Sequence, residues 1–408
     1  MSEIKNKVLS LFQGFGVELE YMIVDKDSLN IKPIADLLLK ELAGNVNDDF
    51  ENGEIAWSNE LVMHVLEIKT NGPVNSLMGL SEKFNENVKL ANIKLAKHNA
   101  ILLPTGAHPF MNPLNETVIW PHEYNQVYAL YDRIFDCKGH GWSNLQSTHL
   151  NLPFANDLEF EQLHAAIRLL LPIIPSISAS TPILDSSFNG FKDHRLEYYR
   201  KNQAKIPAIA GKIIPEKAYN QKDYESLIFE PIRKAITPYD SEGVLGKYFL
   251  NSRGAIARFD RMAIEIRVID IQECPKMDIA VLTLIIETIK WLIARQSQEL
   301  KRQKEFDENE LYEIFCGHAK TAEDTIIQNK EYLSIFGFNK PSCTSNELWK
   351  HIVDCVQLEN DEVNLILEKG SLSTRILGRL SQDFSLENIK KVYRNLAHCL
   401  KENQAFEK

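Results

Sequence analysis

Two glutamates on one short strand constrain this chain more than any other feature in it. The stretch FGVELEYMIVD, Phe15 to Asp25, alternates as a β-strand does. Glu18 and Glu20 therefore share one face, while Val17, Leu19 and Tyr21 share the other. The rise per residue puts the two carboxylates about 7 Å apart. Flanked by Phe15, Val17, Leu19, Met22 and Ile23, ionised carboxylates at that spacing are unfavourable unless they are paired or coordinate a metal. Hard divalent cations answer that need, since Mg²⁺ and Mn²⁺ prefer oxygen ligands. The plainer alternative is an edge strand with a wet polar face, and the rest of the chain weighs against it.

The chain has 408 residues and a formal net charge of -10, with no long lysine or arginine run. Nucleic acid is thus not expected as a partner, whereas a small anion held through metal is compatible with the charge. Six cysteines (Cys137, Cys274, Cys316, Cys343, Cys355, Cys399) show no C-x-x-C spacing, which argues against a zinc site and a disulfide framework. MSEIKNKVLSLFQ is too polar for a secretory signal. No apolar run approaches the roughly 20 residues of a membrane span; LLLPIIPSI, Leu169 to Ile177, is short and broken by two prolines. The expected home is the cytoplasm, away from membranes. Neither G-x-G-x-x-G nor G-x-x-x-x-G-K-[ST] occurs, so Rossmann and P-loop nucleotide binding are disfavoured.

Strand and helix patterns alternate along the chain. IKPIADLLLKELAG from Ile31 reads as a helix with Pro33 in its first turn and Gly44 past its end. Asn45 to Ser58 is scattered and polar, and ELVMHVLEIKTNGP, from Glu60, then alternates as a strand. The odd separation of Glu60 and Glu67 lets them share a face only if this segment bends or contains two strands. Ser81 to Asn99 is a helix with the stripe Phe84, Val88, Ala91, Leu95, and the strand ILLPTGAHP follows. After a loop-rich stretch holding the helix YALYDRIFD, LQSTHLNLPF presents His149 and Asn151 on one strand face, and Glu159 to Leu171 is helical.

The segment from Ser176 to Pro215 is long and irregular, and Arg195, Arg200, Lys201 and Lys205 make it locally basic. Segments of that length are uncommon unless they cover a site, so residues Phe188 to Lys212 are expected to form a mobile lid. RFDRMAIEIRVIDIQ, from Arg258, then reads as a strand with Ala263, Glu265, Arg267 and Ile269 on one face. Met277 to Arg302 reads as one long helix, and the remainder is helical and strand-poor. This divides the chain into a catalytic domain over 1–300 and a helical extension, 301–408, packed on it.

Glu18, Glu20, Glu60, Glu67, His149, Glu265 and Arg267 all stand on otherwise apolar strands. Five carboxylates, an imidazole and a guanidinium are the inventory of a site for two or three divalent cations, able to polarise the phosphates of a nucleotide. Arg267, on the same face as Glu265, is placed to stabilise charge on a transferring phosphoryl group.

FGVELEYMIVD, the Glu60 segment ending in EIKTNGP, STHLNLPF and MAIEIRVIDIQECP resemble, in that order, the glutamate–cysteine ligases of the second family, carboxylate–amine ligases related to glutamine synthetase. EKGSLSTRILGRL also looks like that family's C-terminal portion. The resemblance implies an α+β fold, glutamine-synthetase-like, with a curved antiparallel sheet, helices on its outer face and a helical C-terminal portion. It further implies ATP and Mg²⁺ (or Mn²⁺), with phosphorylation of a carboxylate, in the family the γ-carboxylate of glutamate, and displacement of phosphate by an amine such as cysteine. By the same resemblance Glu20, Glu60 and Glu67 hold one metal ion, Glu18, His149 and Glu265 hold a second, and Arg267 steadies the acyl phosphate. Arg258 is assigned to carboxylate or phosphate contacts, and Arg195, Arg200 and Lys201 to the nucleotide. Many members carry H-x-H where this chain has His149 and Asn151, so the second histidine's role is absent or met by Asn151, and the segment before Glu60 matches poorly. The implied partners are an amino acid and an amine, with a homo-oligomer compatible. A phosphotransferase of the guanidino-kinase kind and a non-catalytic nucleotide-binding regulator are the alternatives.

Overall fold

The computed structural model describes residues 8–46, 49–123, 125–245 and 250–407. The strands of its main sheet are β1 (Gly16–Asp25), β2 (Phe50–Asn52), β3 (Ile55–Asn59), β4 (Val65–Thr70), β5 (Ala100–Leu103), β6 (Ser147–Pro153), β7 (Ala255–Arg258) and β8 (Ala263–Asp270). They form one antiparallel sheet in the order β2-β3-β4-β1-β6-β8-β7, with β5 also paired to β1. β1 is central because its length serves three neighbours: β6 along Gly16–Leu19, β4 along Glu18–Met22 and β5 along Met22–Asp25.

Alternation decides which face is buried. Val17, Leu19, Tyr21 and Ile23 of β1 join Leu66, Ile68, Leu150, Leu152, Ile264 and Ile266 in the main core. The helices Leu80–Leu95, Asp157–Leu170 and Pro275–Ala294 cover that face with Phe84, Val88, Leu163, Ile167, Ile285 and Ile289. Each fully buried side chain of this kind contributes on the order of 1.5–3 kcal/mol relative to exposure. Local signals set the helix ends: Asn156 accepts from the Glu159 amide, Pro275 opens its helix at a first-turn position, and Gly44 takes φ 82° after Ala35–Ala43.

The helical tail does not pack as a separate layer. Leu311, Phe315, Trp349 and Ile352 belong to the same core as the sheet. The helices Leu372–Leu380 and Leu386–Glu402 close a second cluster around Met22, Val24 and Leu103. Among the described residues, no helix is long and apolar enough to cross a membrane.

Several sequence expectations are corrected. The polar stretch Asn45 to Ser58 contains β2 and β3, and Trp57 is wholly buried there. The strand expected from Glu60 is only β4, paired with β3 so that Ser58 faces Glu67; two strands, rather than a bend, bring Glu60 near Glu67. The strand expected from Arg258 is a hairpin of β7 and β8. The long helix breaks at Arg295 into Pro275–Ala294 and Gln296–Glu305. The expected lid is instead anchored: Asp193 caps the helix His194–Tyr199, Ile206 and Ile209 are buried, and Lys192 pairs with Glu323 at 3.0 Å and Asp324 at 2.6 Å. Residues 1–7, the first part of MSEIKNKVLSLFQ, lie outside the described residues.

Candidate active site

The face of the sheet opposite the core lines a cavity of about 1350 Å³. Period-two alternation points Glu18 and Glu20 of β1, Glu67 and Lys69 of β4, Ser147, His149 and Asn151 of β6, and Glu265 and Arg267 of β8 into it. Register aligns them across strands: Glu20 is opposite Glu67, Glu18 is opposite both Lys69 and His149, and Asn151 is opposite Glu265. Glu60 follows β3 and reaches the same cavity half-buried.

His149 is the hub. Its Nδ1 lies 2.9 Å from Glu18 Oε2 and 3.9 Å from Glu265 Oε1, and its Nε2 is 3.8 Å from Glu20 Oε1 and 2.9 Å from Ser147 Oγ. The Ser147 amide donates to Glu20 Oε2 at 2.7 Å. Asn151 Nδ2 donates to Glu18 Oε1 at 3.0 Å, so the residue two beyond His149 holds a carboxylate in place. Gly16 sits beneath it: a Cβ there would come within 2.9 Å of the Asn151 Cβ.

Two trios, Glu18–His149–Glu265 and Glu20–Glu67–His149, each bring one ligand atom per residue to within 4.8 Å of one another. The second differs from expectation, with His149 where the resemblance placed Glu60. Glu60 nonetheless belongs to the same field. Burial, then the charges of Glu20, Glu67 and Glu18, push its carboxyl well above the usual range. Burial and Glu67 likewise raise Glu18. Burial would raise Glu67 too, but Lys69 and Ser58 outweigh it and hold that carboxyl below its ordinary value. The cluster as a whole is short of positive charge. Oxygen donors with one imidazole and no thiolate suit Mg²⁺ or Mn²⁺, and the donor set fits them.

The arginines divide into two groups. Arg267 Nη1 lies 3.3 Å from Glu265 Oε1, and its buried Nε has no partner. Arg258 Nη1 lies 3.6 Å from Glu265 Oε2, and its Nη2 pairs with Asp260 at 3.2 Å. Arg195 lines the cavity while its Nε is tied to the buried Asp270. Arg200 and Lys201 do not line the cavity: both pair with Glu197, and Arg200 Nη1 reaches the Tyr312 hydroxyl at 3.1 Å.

Sequence reasoning missed Lys69 and Ser147, although each lies two residues from a proposed ligand on the same strand face. Tyr131, Trp142, Tyr199, Asn202 and Gln203 complete a wall of the cavity, and they come from helices and turns whose sequence carries no periodic sign of a site.

The description Glutamate-cysteine ligase family 2 (GCS2) matches residues 14–314. An uncharacterized protein of Archaeoglobus fulgidus is 31% identical over 403 residues, covering 96% of this chain and 99% of its own. A Bradyrhizobium diazoefficiens protein with the provisional name glutamate–cysteine ligase 2 is 25% identical over 241 residues, 56% of this chain and 49% of that protein. In fold the chain is similar to the Francisella tularensis glutamate–cysteine ligase crystallised with AMP, at TM-score 0.54 and 14% identity over 97% of this chain and 90% of that one. It is also similar to a bifunctional glutathione synthetase from Pasteurella multocida, at TM-score 0.53 and 12% identity over 96% of this chain and 52% of that one. An α+β fold with an antiparallel sheet is common ground with these ligases, and the match over residues 14–314 places the chain in glutamate–cysteine ligase family 2.

Proposed function

We propose that this chain is an ATP-dependent carboxylate–amine ligase with a glutamine-synthetase-like sheet. It activates a carboxylate, glutamate's γ-carboxylate first among candidates, as an acyl phosphate, and passes the acyl group to an amine such as cysteine. The observation that carries this reading is the pair of ligand trios sharing His149, flanked by Arg267 inside one large cavity. Family membership supports the reaction class, and AMP in the Francisella tularensis ligase supports use of an adenine nucleotide.

Glu20, Glu60 and Glu67 would hold one Mg²⁺ or Mn²⁺, and Glu18, His149 and Glu265 would hold another, the single lone pair of the neutral His149 imidazole serving one ion at a time. Bound there, the ions supply charge neutralisation and polarisation of the phosphates. Arg267 brings a partnerless N–H and a fixed positive charge to the place where charge grows on the transferring phosphoryl group. Arg195, braced by Asp270, and Arg258 give further cationic contacts to anionic substrates. Tyr131, Trp142 and Tyr199 restrict water on the far wall, which matters because an acyl phosphate must outlast hydrolysis until the amine arrives. Residues 301–408 belong to the catalytic unit. All six cysteines are free, which suits a reducing cytoplasm.

Incubation with ATP, Mg²⁺, glutamate and an amine library, read by mass spectrometry, tests the reading. ¹⁸O placed in the substrate carboxylate is expected in the released phosphate, because the attacking oxygen leaves with phosphorus when the amine displaces it. Transfer to a nitrogen, as in a guanidino kinase, moves no such label. Phosphate release indifferent to every carboxylate and amine would leave the regulatory or hydrolytic alternative.

A further inference from the structure

We propose that Lys69 is the internal cation of the Glu20–Glu67–His149 cluster, and that a divalent cation taken up there drives its ammonium off Glu67 toward Asp49. The inference rests on the metal reading of the preceding section and adds a residue that reading does not use.

Alternation along β4 puts Glu67 and Lys69 on one face, directed into the cavity. Lys69 Nζ lies 2.9 Å from Glu67 Oε1 and 2.7 Å from Ser58 Oγ. Ser58 donates to the same Glu67 oxygen at 2.7 Å. One carboxylate oxygen therefore carries both a full positive charge and a hydroxyl donor. The other basic side chains among the described residues lining the cavity, Arg195, Arg258, Arg261 and Arg267, come from β7, β8, their connecting turn and the helix His194–Tyr199. Lys69 is the cation on the β3–β4 side.

An ammonium and a divalent cation on one carboxylate repel each other strongly at this range, since even in a partly solvated site unit charges 4 Å apart interact by several times the thermal energy. The lysine has somewhere to go. Asp49 Oδ2 lies 3.3 Å from Nζ at the more exposed rim of the cavity, so rotation of the terminal bonds lets Nζ keep one carboxylate while surrendering the other. Lysine suits this exchange: it is a point charge on a flexible stem, whereas an arginine fork binds in a fixed geometry. Two consequences follow. Cation affinity at this trio is set against the charge of Lys69, and cation occupancy leaves Lys69 with Asp49 in place of the Asp49–Glu67 pair it now bridges. Were Lys69 only a hydrogen-bonding brace for Glu67, a neutral donor at its position would serve equally well and removing its charge would not tighten the site.

Mn²⁺ binding to the nucleotide-free, full-length protein, followed by electron paramagnetic resonance of the free ion, separates these cases without any turnover. Lys69→Gln, which keeps an N–H donor and loses the charge, is expected to bind Mn²⁺ about tenfold more tightly than wild type, with Lys69→Arg close to wild type. The gain should vanish in a Glu67→Gln background, as a double-mutant cycle requires of a direct coupling. Asp49→Asn should weaken Mn²⁺ binding when Lys69 is present and leave Lys69→Gln unaffected. Lys69→Met provides a second neutral variant should Lys69→Gln fold poorly by circular dichroism. If wild type binds Mn²⁺ and neither neutral variant binds it more tightly, Lys69 is only a brace and the inference fails while the metal reading survives. If wild type and both neutral variants bind no Mn²⁺, the metal reading and this inference fall together.

Discussion

The guanidinium of Arg375 forms a fully buried ion pair with the carboxylate of Glu273, 102 residues earlier in the chain. Arg375 also donates to the Phe406 carbonyl at 2.7 Å and the Gly370 carbonyl at 3.3 Å, and the Phe406 amide donates to Glu273 Oε1 at 3.0 Å. Glu273 lies between β8 and the helix Pro275–Ala294, and Arg375 is in the late stretch EKGSLSTRILGRL. One buried pair thus ties two sequence motifs and the end of the described chain to the exit of the strand that carries Glu265 and Arg267. Arg375→Met should destabilise the protein by about 3–5 kcal/mol in urea unfolding, because it leaves a buried carboxylate without its partner. Adding Glu273→Gln should recover part of the loss. Unchanged unfolding in Arg375→Met would show that the pair does not hold the tail to the sheet.

Asp278 makes stability pH-dependent. Burial, then the nearby hydrogen bonds, which only partly offset it, leave its carboxyl raised to about 8; Thr148 Oγ1 donates to Oδ1 at 2.6 Å, and the buried Oδ2 has no partner. Between the ordinary carboxyl range and about 8 the folded state holds a proton that the unfolded state has released. Stability from this group is therefore complete below the unfolded pKa and is lost as pH rises through about 8, by up to about 1.4 kcal/mol per pH unit. Asp278→Asn should flatten the dependence and raise the melting temperature at pH 8 relative to wild type. A steeper or unchanged pH profile in that variant would contradict the assignment.

Glu20→Gln is expected to abolish nucleotide turnover with an unchanged circular dichroism spectrum. Without added metal its melting temperature should equal or exceed that of wild type, since the charge of Glu20 is the largest of those raising Glu60. Wild-type turnover in this variant would sink the metal assignment.

Arg267→Ala should lower kcat by about 10²- to 10³-fold, the range for loss of one preorganised charge-stabilising group, with a smaller change in the apparent affinity for ATP. A change confined to KM would move Arg267 from phosphoryl transfer to ground-state binding.

The segment from Phe188 to Lys212 should resist limited proteolysis even without ligands, because Asp193, Arg195, Ile206 and Ile209 are buried and Lys205 donates to the Ile134 carbonyl at 2.8 Å. Rapid cleavage that ATP and substrate suppress would restore a lid that opens and closes.

Local periodicity determined much of the site. A strand's side chains alternate whatever its neighbours are, so Glu18 and Glu20, and Glu265 with Arg267, are assigned to a common face by their spacing, and the strand runs around them are legible for the same reason. Helices such as Leu80–Leu95 are equally legible from their apolar stripe. Pairing between strands is a different matter, because it depends on which backbone edges meet and in what register. Only the β3–β4 register sets Ser58 opposite Glu67 and resolves the odd spacing of Glu60 and Glu67. Only the β1–β6 register makes His149 common to both trios and lays Asn151 against Glu18. The basic residues from Arg195 to Lys201 read alike in sequence, yet folding ties Arg195 to a buried aspartate at the cavity and turns Arg200 and Lys201 to Glu197. Charge is a property of the residue, but the partner that charge meets is set by tertiary packing.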